Sequence, residues 1–166
     1  MFDVRRQQDH YHEQREWLDA DWHFSFGSYR DPDNTHFGPL RVVNHDRVAG
    51  GGGWGMHSHR DMEIITWVVE GELAHEDSTG SGGTIGKHGV QAMSAGTGIS
   101  HKEYNASGSQ PVRLLQVWIE PSEAGGDPSY DEASFGAEKL GDSLCVVASA
   151  RGGDGVPIRQ DASVLV

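Results

Sequence analysis

Short runs rich in β-branched and aromatic residues, each closed off by glycine, recur along most of the chain. Residues 63–69 (EIITWVV), 90–93 (VQAM) and 112–119 (VRLLQVWI) have the length of strands, and a sustained spacing of 3.6 is weak everywhere. Glycine suits the turns between such runs because it takes either sign of φ without steric cost. With 23 glycines in 166 residues, the pattern predicts an all-β domain. Residues 23–29 (HFSFGSY) and 41–45 (RVVNH) also read as strands. Residues 73–77 (LAHED) read as returning antiparallel to 63–69 through Glu70-Gly71, a hairpin in a barrel wall.

Residues i and i+2 of a strand point to the same face. His57-Ser58-His59 therefore presents two imidazoles together, and His101-Lys102-Glu103 repeats the spacing with a carboxylate in second place. A lone H-x-H is more often a metal-free pair than a site. Two pairs of one parity, each in glycine-rich β context, reverse that balance and point to one ion inside the barrel. Imidazole and carboxylate donors with no thiolate suit divalent Fe, Mn, Co, Ni, Cu or Zn. Asp61 and Glu63 continue the odd-numbered face of His57 and His59, so spacing alone leaves Glu63 and Glu103 as rival oxygen ligands.

Other histidines carry less. His75, beside Glu76 and Asp77 near the expected hairpin tip, could support the ligands from behind but reads more readily as solvated, and His10, His12, His23, His36, His45 and His88 have no spaced partner. The run Gly50 to Gly53 is followed by no Lys-Ser/Thr and reads as a tight turn, not a phosphate loop. Trp17, Trp22, Trp54, Trp67 and Trp118 read as core or rim packing.

Thirteen Lys and Arg against 25 Asp and Glu give a formal charge of −12, which repels phosphate backbones and anionic lipid and argues against direct nucleic-acid binding. Cys145 has no cysteine partner, residues 1–15 form no apolar signal core, and no run nears the ~20 apolar residues of a membrane span. A cytoplasmic protein without membrane contact is the expectation. Residues 122–142 shift to Asp, Glu, Gly, Pro and Ser and read as a linker, with a short helix around 130–135. Residues 143–149 and 158–166 are strand-like again, but too few to build a core, so they should pack on the first domain, on a partner chain or on sequence beyond this chain.

Gly51 followed by His57-x-His59-x3-Glu63, then Gly96-x-Gly98-x2-His101-x3-Asn105, resembles the two cupin motifs, with Gly96 where the general pattern has proline. More closely, HSHRDMEIITWVVEGELAHEDS and AGTGISHKEYN are similar to the pirin family, a resemblance that runs from about Phe2 to the VWIEP strand. It implies a bicupin whose N-terminal barrel, here residues 1–121, holds iron or a similar metal through His57, His59, His101 and Glu103, with Fe(II) first among the candidates. It thereby favours Glu103 over Glu63. Residues 143–166 then resemble the opening of a C-terminal cupin, most of which is absent. The implied activity is that of a quercetin 2,3-dioxygenase, opening a flavonol ring with O2, with Glu103 as base. The alternative is a metal-binding co-regulator of transcription that acts through protein contacts. A second copy of the chain, or another protein, would cover the edge left by the missing barrel.

Overall fold

In the computed structural model, residues 4–141, 144–151 and 153–166 are described. The start of the resemblance at Phe2 and the linker-to-strand junction at 142–143 lie outside them. The strands are β1 (Tyr11–Gln14), β2 (Leu18–Trp22), β3 (Leu40–Val48), β4 (Gly53–His59), β5 (Glu63–Glu70), β6 (Glu72–Asp77), β7 (Gly82–Gly86), β8 (Gly89–Ser94), β9 (Ile99–Asn105), β10 (Val112–Ile119), β11 (Ser129–Ser134), β12 (Val146–Ser149), β13 (Val156–Pro157) and β14 (Ser163–Leu165). Helix is confined, among the described residues, to 3-10 turns at Gln7–Asp9 and Ala137–Leu140. The all-β expectation holds, and no helix is long and apolar enough to cross a membrane.

A seven-stranded sheet, β1-β2-β3-β10-β5-β8-β11, faces a four-stranded sheet, β4-β9-β6-β7, and together they form the cupin barrel. Alternation along the strands sorts side chains to the inside or the outside. Along β5 the inward positions are Ile64, Thr66 and Val68, and along β10 they are Leu114, Gln116 and Trp118. One inner layer is apolar, with Leu18, Trp22, Val48, Val68, Leu73, Ile85, Val112 and Leu114 in contact. A second apolar layer holds Ile64, Met93, Ala95 and Ile99. The polar inward residues lie between them.

The strands 63–69 and 73–77 are not a hairpin. β5 pairs with β10 and β8, whereas β6 pairs with β9 and β7 in the opposite sheet. Gly71, at φ +80, turns the chain from one sheet into the other, and a Cβ there would lie 2.6 Å from the Pro111 carbonyl oxygen. Residues 23–29 form a loop after β2. Asn34 donates its amide to the His23 carbonyl, Ser25 bonds Asp31, and these local side-chain bonds replace a ladder.

Two further expectations concerned the C-terminal third. The short helix around 130–135 is instead β11, antiparallel to β8 from Ser129↔Ser94 to Ser134↔Gly89, because the edge of β8 offers a complete ladder. Residues 146–166 fold as a small sheet, β13-β12-β14. Its Val147, Ala148, Val156 and Ile158 pack on Ile65, Trp67, Val90, Ala92 and Phe135, the outer face of the large sheet. The segment packs on the first domain, one of the places open to it.

Candidate metal centre

Strands β4 and β9 lie side by side, with Trp54 opposite Glu103 and His57 opposite His101. Between those two pairs the register slips by a β-bulge at Gly55-Met56, a device that re-aims side chains. The strands approach so closely at Gly53 that a Cβ would sit 2.5 Å from the Glu103 carbonyl oxygen and the Tyr104 Cα. The outcome is a cluster in which His57, His59 and His101 each bring a ring nitrogen within 4.8 Å of the others. His57 Nε2 and His101 Nε2 are 3.1 Å apart.

Their partners dictate which nitrogens are bare. His57 Nδ1 lies 2.7 Å from the Gly55 carbonyl oxygen, which can only accept, so Nδ1 donates there, and the tautomer this selects has its lone pair at Nε2, facing the cluster. His59 Nε2 is buried and has no hydrogen-bond partner among the described residues. Burial, then the charge of His57, holds the His59 pKa down at about 4. Burial drives His101 lower still, aided by His57 and His59. Three imidazoles converging on one point, one with an orphaned buried nitrogen, are a donor set that a divalent cation fits.

Glu103 is 3 % exposed and is held by donors from the opposite sheet. Gln91 Nε2 donates to its Oε1 at 2.7 Å, Gln116 Nε2 to its Oε2 at 2.9 Å, and the Thr66 hydroxyl to Oε1 at 3.5 Å. Burial nevertheless raises its pKa to about 7. A carboxylate oxygen of Glu103 lies within 4.8 Å of ring nitrogens of His101 and His75. The rival Glu63 is equally buried, but it accepts from Ser94 Oγ at 2.6 Å and from the Arg159 backbone at 3.1 Å, which ties it to the C-terminal segment. Asp61 accepts from the Gly125 backbone N–H.

His75 corrects an expectation. It is 1 % exposed, not solvated, because β6 lies between β9 and β7 and turns its ring into the barrel. Its Nδ1 is 3.3 Å from His101 Nδ1, its Nε2 is 3.3 Å from Asp77 Oδ2, and the Tyr130 ring stacks on it at 4.4 Å. Burial lowers its pKa against the pull of Asp77. His23 also has a partner that spacing did not reveal, His10, at 3.0 Å. Thr66, Gln91 and Gln116 went unnoticed in the sequence too, although a single polar residue inside an otherwise apolar strand is a visible signal.

Beside His57 and Glu103 opens a cleft of about 390 Å³ walled by Trp17, Trp22, Phe26, Trp54 and Trp118, with Gln116 also in its lining. Trp17 meets Trp54 edge-on at 5.5 Å, and Phe26 meets Trp118 edge-on at 5.3 Å. Four of the five tryptophans thus line the opening, Trp22 from within the apolar layer and Trp17, Trp54 and Trp118 from its rim, which agrees with core or rim packing. A flat aromatic molecule stacks well on such walls.

The chain resembles known proteins along most of its length. The pirin family model matches residues 2–119. A putative quercetin 2,3-dioxygenase of Zymomonas mobilis is 48 % identical over 151 residues, 90 % of this chain and 64 % of that protein. The quercetin 2,3-dioxygenase of Escherichia coli is 42 % identical over 162 residues, 97 % of this chain and 69 % of that one. The crystal structure of the bacterial pirin YhhW from Escherichia coli, in complex with nickel(II), superimposes with a TM-score of 0.88 at 38 % identity, covering 96 % of this chain and 68 % of that one. The chain spans just under two thirds of the Zymomonas relative's length.

Proposed function

Because the chain belongs to the pirin family, we propose that it is a metal-dependent dioxygenase of the quercetin 2,3-dioxygenase type, in which His57, His59, His101 and Glu103 hold one divalent ion, Fe(II) first. The observation that carries this reading is the convergence of three imidazoles, one of which lines an aromatic cleft together with the buried Glu103. When bound, the ion supplies Lewis acidity and redox capacity to an enol-bearing substrate.

The residues of the chain do the rest. Trp17, Trp54 and Trp118 stack the flavonol rings and keep water from them. Glu103 takes the proton of the 3-hydroxyl on a carboxylate oxygen, a task for which burial and a pKa near neutrality suit it. Gln91 and Gln116 keep that carboxylate aimed at the cleft. The electron-rich flavonolate then reacts with O2, the heterocycle opens and carbon monoxide leaves. In this reading residues 1–121 are the metal-binding barrel, 122–142 connect it, 143–166 open a second barrel, and the protein works in the cytoplasm. The exposed Leu144 and Leu165 are then covered by further barrel or by a second copy.

The test supplies Fe(II), Ni(II), Co(II) or Mn(II) in turn and follows quercetin absorbance together with O2 uptake. Turnover with bound metal is expected, and His57→Ala should lose both metal content and turnover. A metal-free His57→Ala that still consumes quercetin would overturn the proposal. Metal binding without turnover by any of the four ions would favour the co-regulator reading.

A further inference from the structure

The structure assigns to His75 and Asp77 the role of positioning residues that set the tautomer of His101, so that its Nε2 is free to bind a cation. The inference rests on the ligand reading of the previous subsection. Its starting point is Asp77, whose Oδ1 accepts from the Thr79 backbone at 2.8 Å, the Thr79 hydroxyl at 2.6 Å and the Ser81 backbone at 3.2 Å. Those three donors pin Oδ1 in the β6–β7 turn and leave Oδ2 facing His75 Nε2 at 3.3 Å.

A carboxylate oxygen accepts, so His75 carries its proton on Nε2 and its Nδ1 is bare. That bare Nδ1 lies 3.3 Å from His101 Nδ1, which must therefore be the donor. With its proton on Nδ1, His101 presents a lone pair at Nε2, and that atom faces the equally bare Nε2 of His57 at 3.1 Å. Two lone pairs at that distance repel unless a cation lies among them. The tautomer chain from Asp77 through His75 thus terminates where a positive charge is needed, an arrangement of the carboxylate–histidine type that orients metal-binding imidazoles.

Tyr130 holds the relay in place. Its ring lies nearly parallel to His75, at 17°, and its hydroxyl is shared between Gln91 Oε1 and Glu132. Gln91 in turn donates to Glu103. One residue of β11 therefore braces both the His101 side and the Glu103 side of the centre.

Asp77→Asn is the decisive variant. The turn donors keep the amide oxygen at the Oδ1 position, so an NH2 now faces His75 and forces its proton onto Nδ1, which reverses the relay and protonates His101 at Nε2. The Co(II) dissociation constant, measured by chelator competition on the full chain, should rise about 10–100-fold. The melting temperature of the metal-free protein should not change. His75→Gln, which can accept from His101 and donate to Asp77, should keep Co(II) affinity close to wild type. In the Co(II) protein a shifted, exchangeable His101 N–H proton resonance should be present in wild type and His75→Gln and absent in Asp77→Asn. Co(II) affinity within twofold of wild type in Asp77→Asn overturns the relay, and so does a His75→Gln variant that does not keep affinity close to wild type. If Asp77→Asn does not fold, His75→Leu against His75→Gln makes the same comparison: equal affinities refute the relay, and a weaker Leu variant supports it. Failure of the wild-type chain itself to bind Co(II) would instead refute the ligand set.

Discussion

The large sheet has two faces of opposite character, and the usual arrangement is inverted in its middle. Toward the barrel interior β5, β8 and β10 present Thr66, Gln91 and Gln116, all bonded to Glu103 or to one another. Toward the outside the same strands present Ile65, Trp67, Val90, Ala92 and Ile119, buried under the C-terminal segment. Those three polar side chains are tolerated inside because each meets a partner. Apolar groups outside are tolerated because residues 146–166 cover them. The inner face serves the centre, and the outer face supplies stability that has no part in it.

If that division is real, the two faces should fail separately. The largest effect belongs outside: Trp67→Ala removes a ring that also packs on Phe135, and should destabilise the chain by about 3–5 kcal/mol in denaturant titration. The metal affinity of the fraction still folded should not change, and a parallel loss of affinity would break the separation. Inside, Gln91→Leu strips one donor from Glu103 and should weaken metal binding by about tenfold or more, measured by competition. Stability of the metal-free chain should shift far less than with Trp67→Ala.

The smallest effect sharpens the same contrast. Asp46 is an inward carboxylate with an unpartnered Oδ1, and burial followed by the charge of Glu103 raises its pKa to about 7. Folded Asp46 keeps its proton where the unfolded chain, at a value near 3.8, has lost it. Stability from this group is therefore full below about 4, falls as pH rises through about 7, and is lost above. Asp46→Asn should melt with wild type near pH 4 and above it at pH 8, by roughly 2–4 °C for each kcal/mol recovered. A variant less stable than wild type at pH 8 would show that the charge is compensated.

Much of the centre was visible in the sequence, and what was hidden depended on pairing. His57, His59 and His101 follow from parity within single strands, which a sequence shows, whereas only the family resemblance sets Glu103 above Glu63. Choosing between Glu63 and Glu103 by parity failed because β4 ends at His59 and Asp61 adopts φ +49, so the alternation does not carry across to Glu63. His75 was misjudged because its surroundings come from β9 and from Tyr130, 26 and 55 residues away. The same limit concealed the role of Gly71: a glycine after a strand looks alike whether the chain returns beside that strand or crosses to another sheet. Tyr130 sat in a stretch whose composition suggested a linker, and only the free edge of β8 makes it a strand.

The docking of residues 146–166 on the outer face bears on how the molecule is made. A ribosome delivers the barrel strands first, and at ~5–20 residues per second the segment that covers Trp67 and Val90 follows after roughly several seconds. For that interval the nascent barrel carries an uncovered apolar sheet face, a surface that chaperones bind and that invites association between neighbouring chains. The bond from the Arg159 backbone to Glu63, joining residues 96 apart, forms only once that segment has emerged.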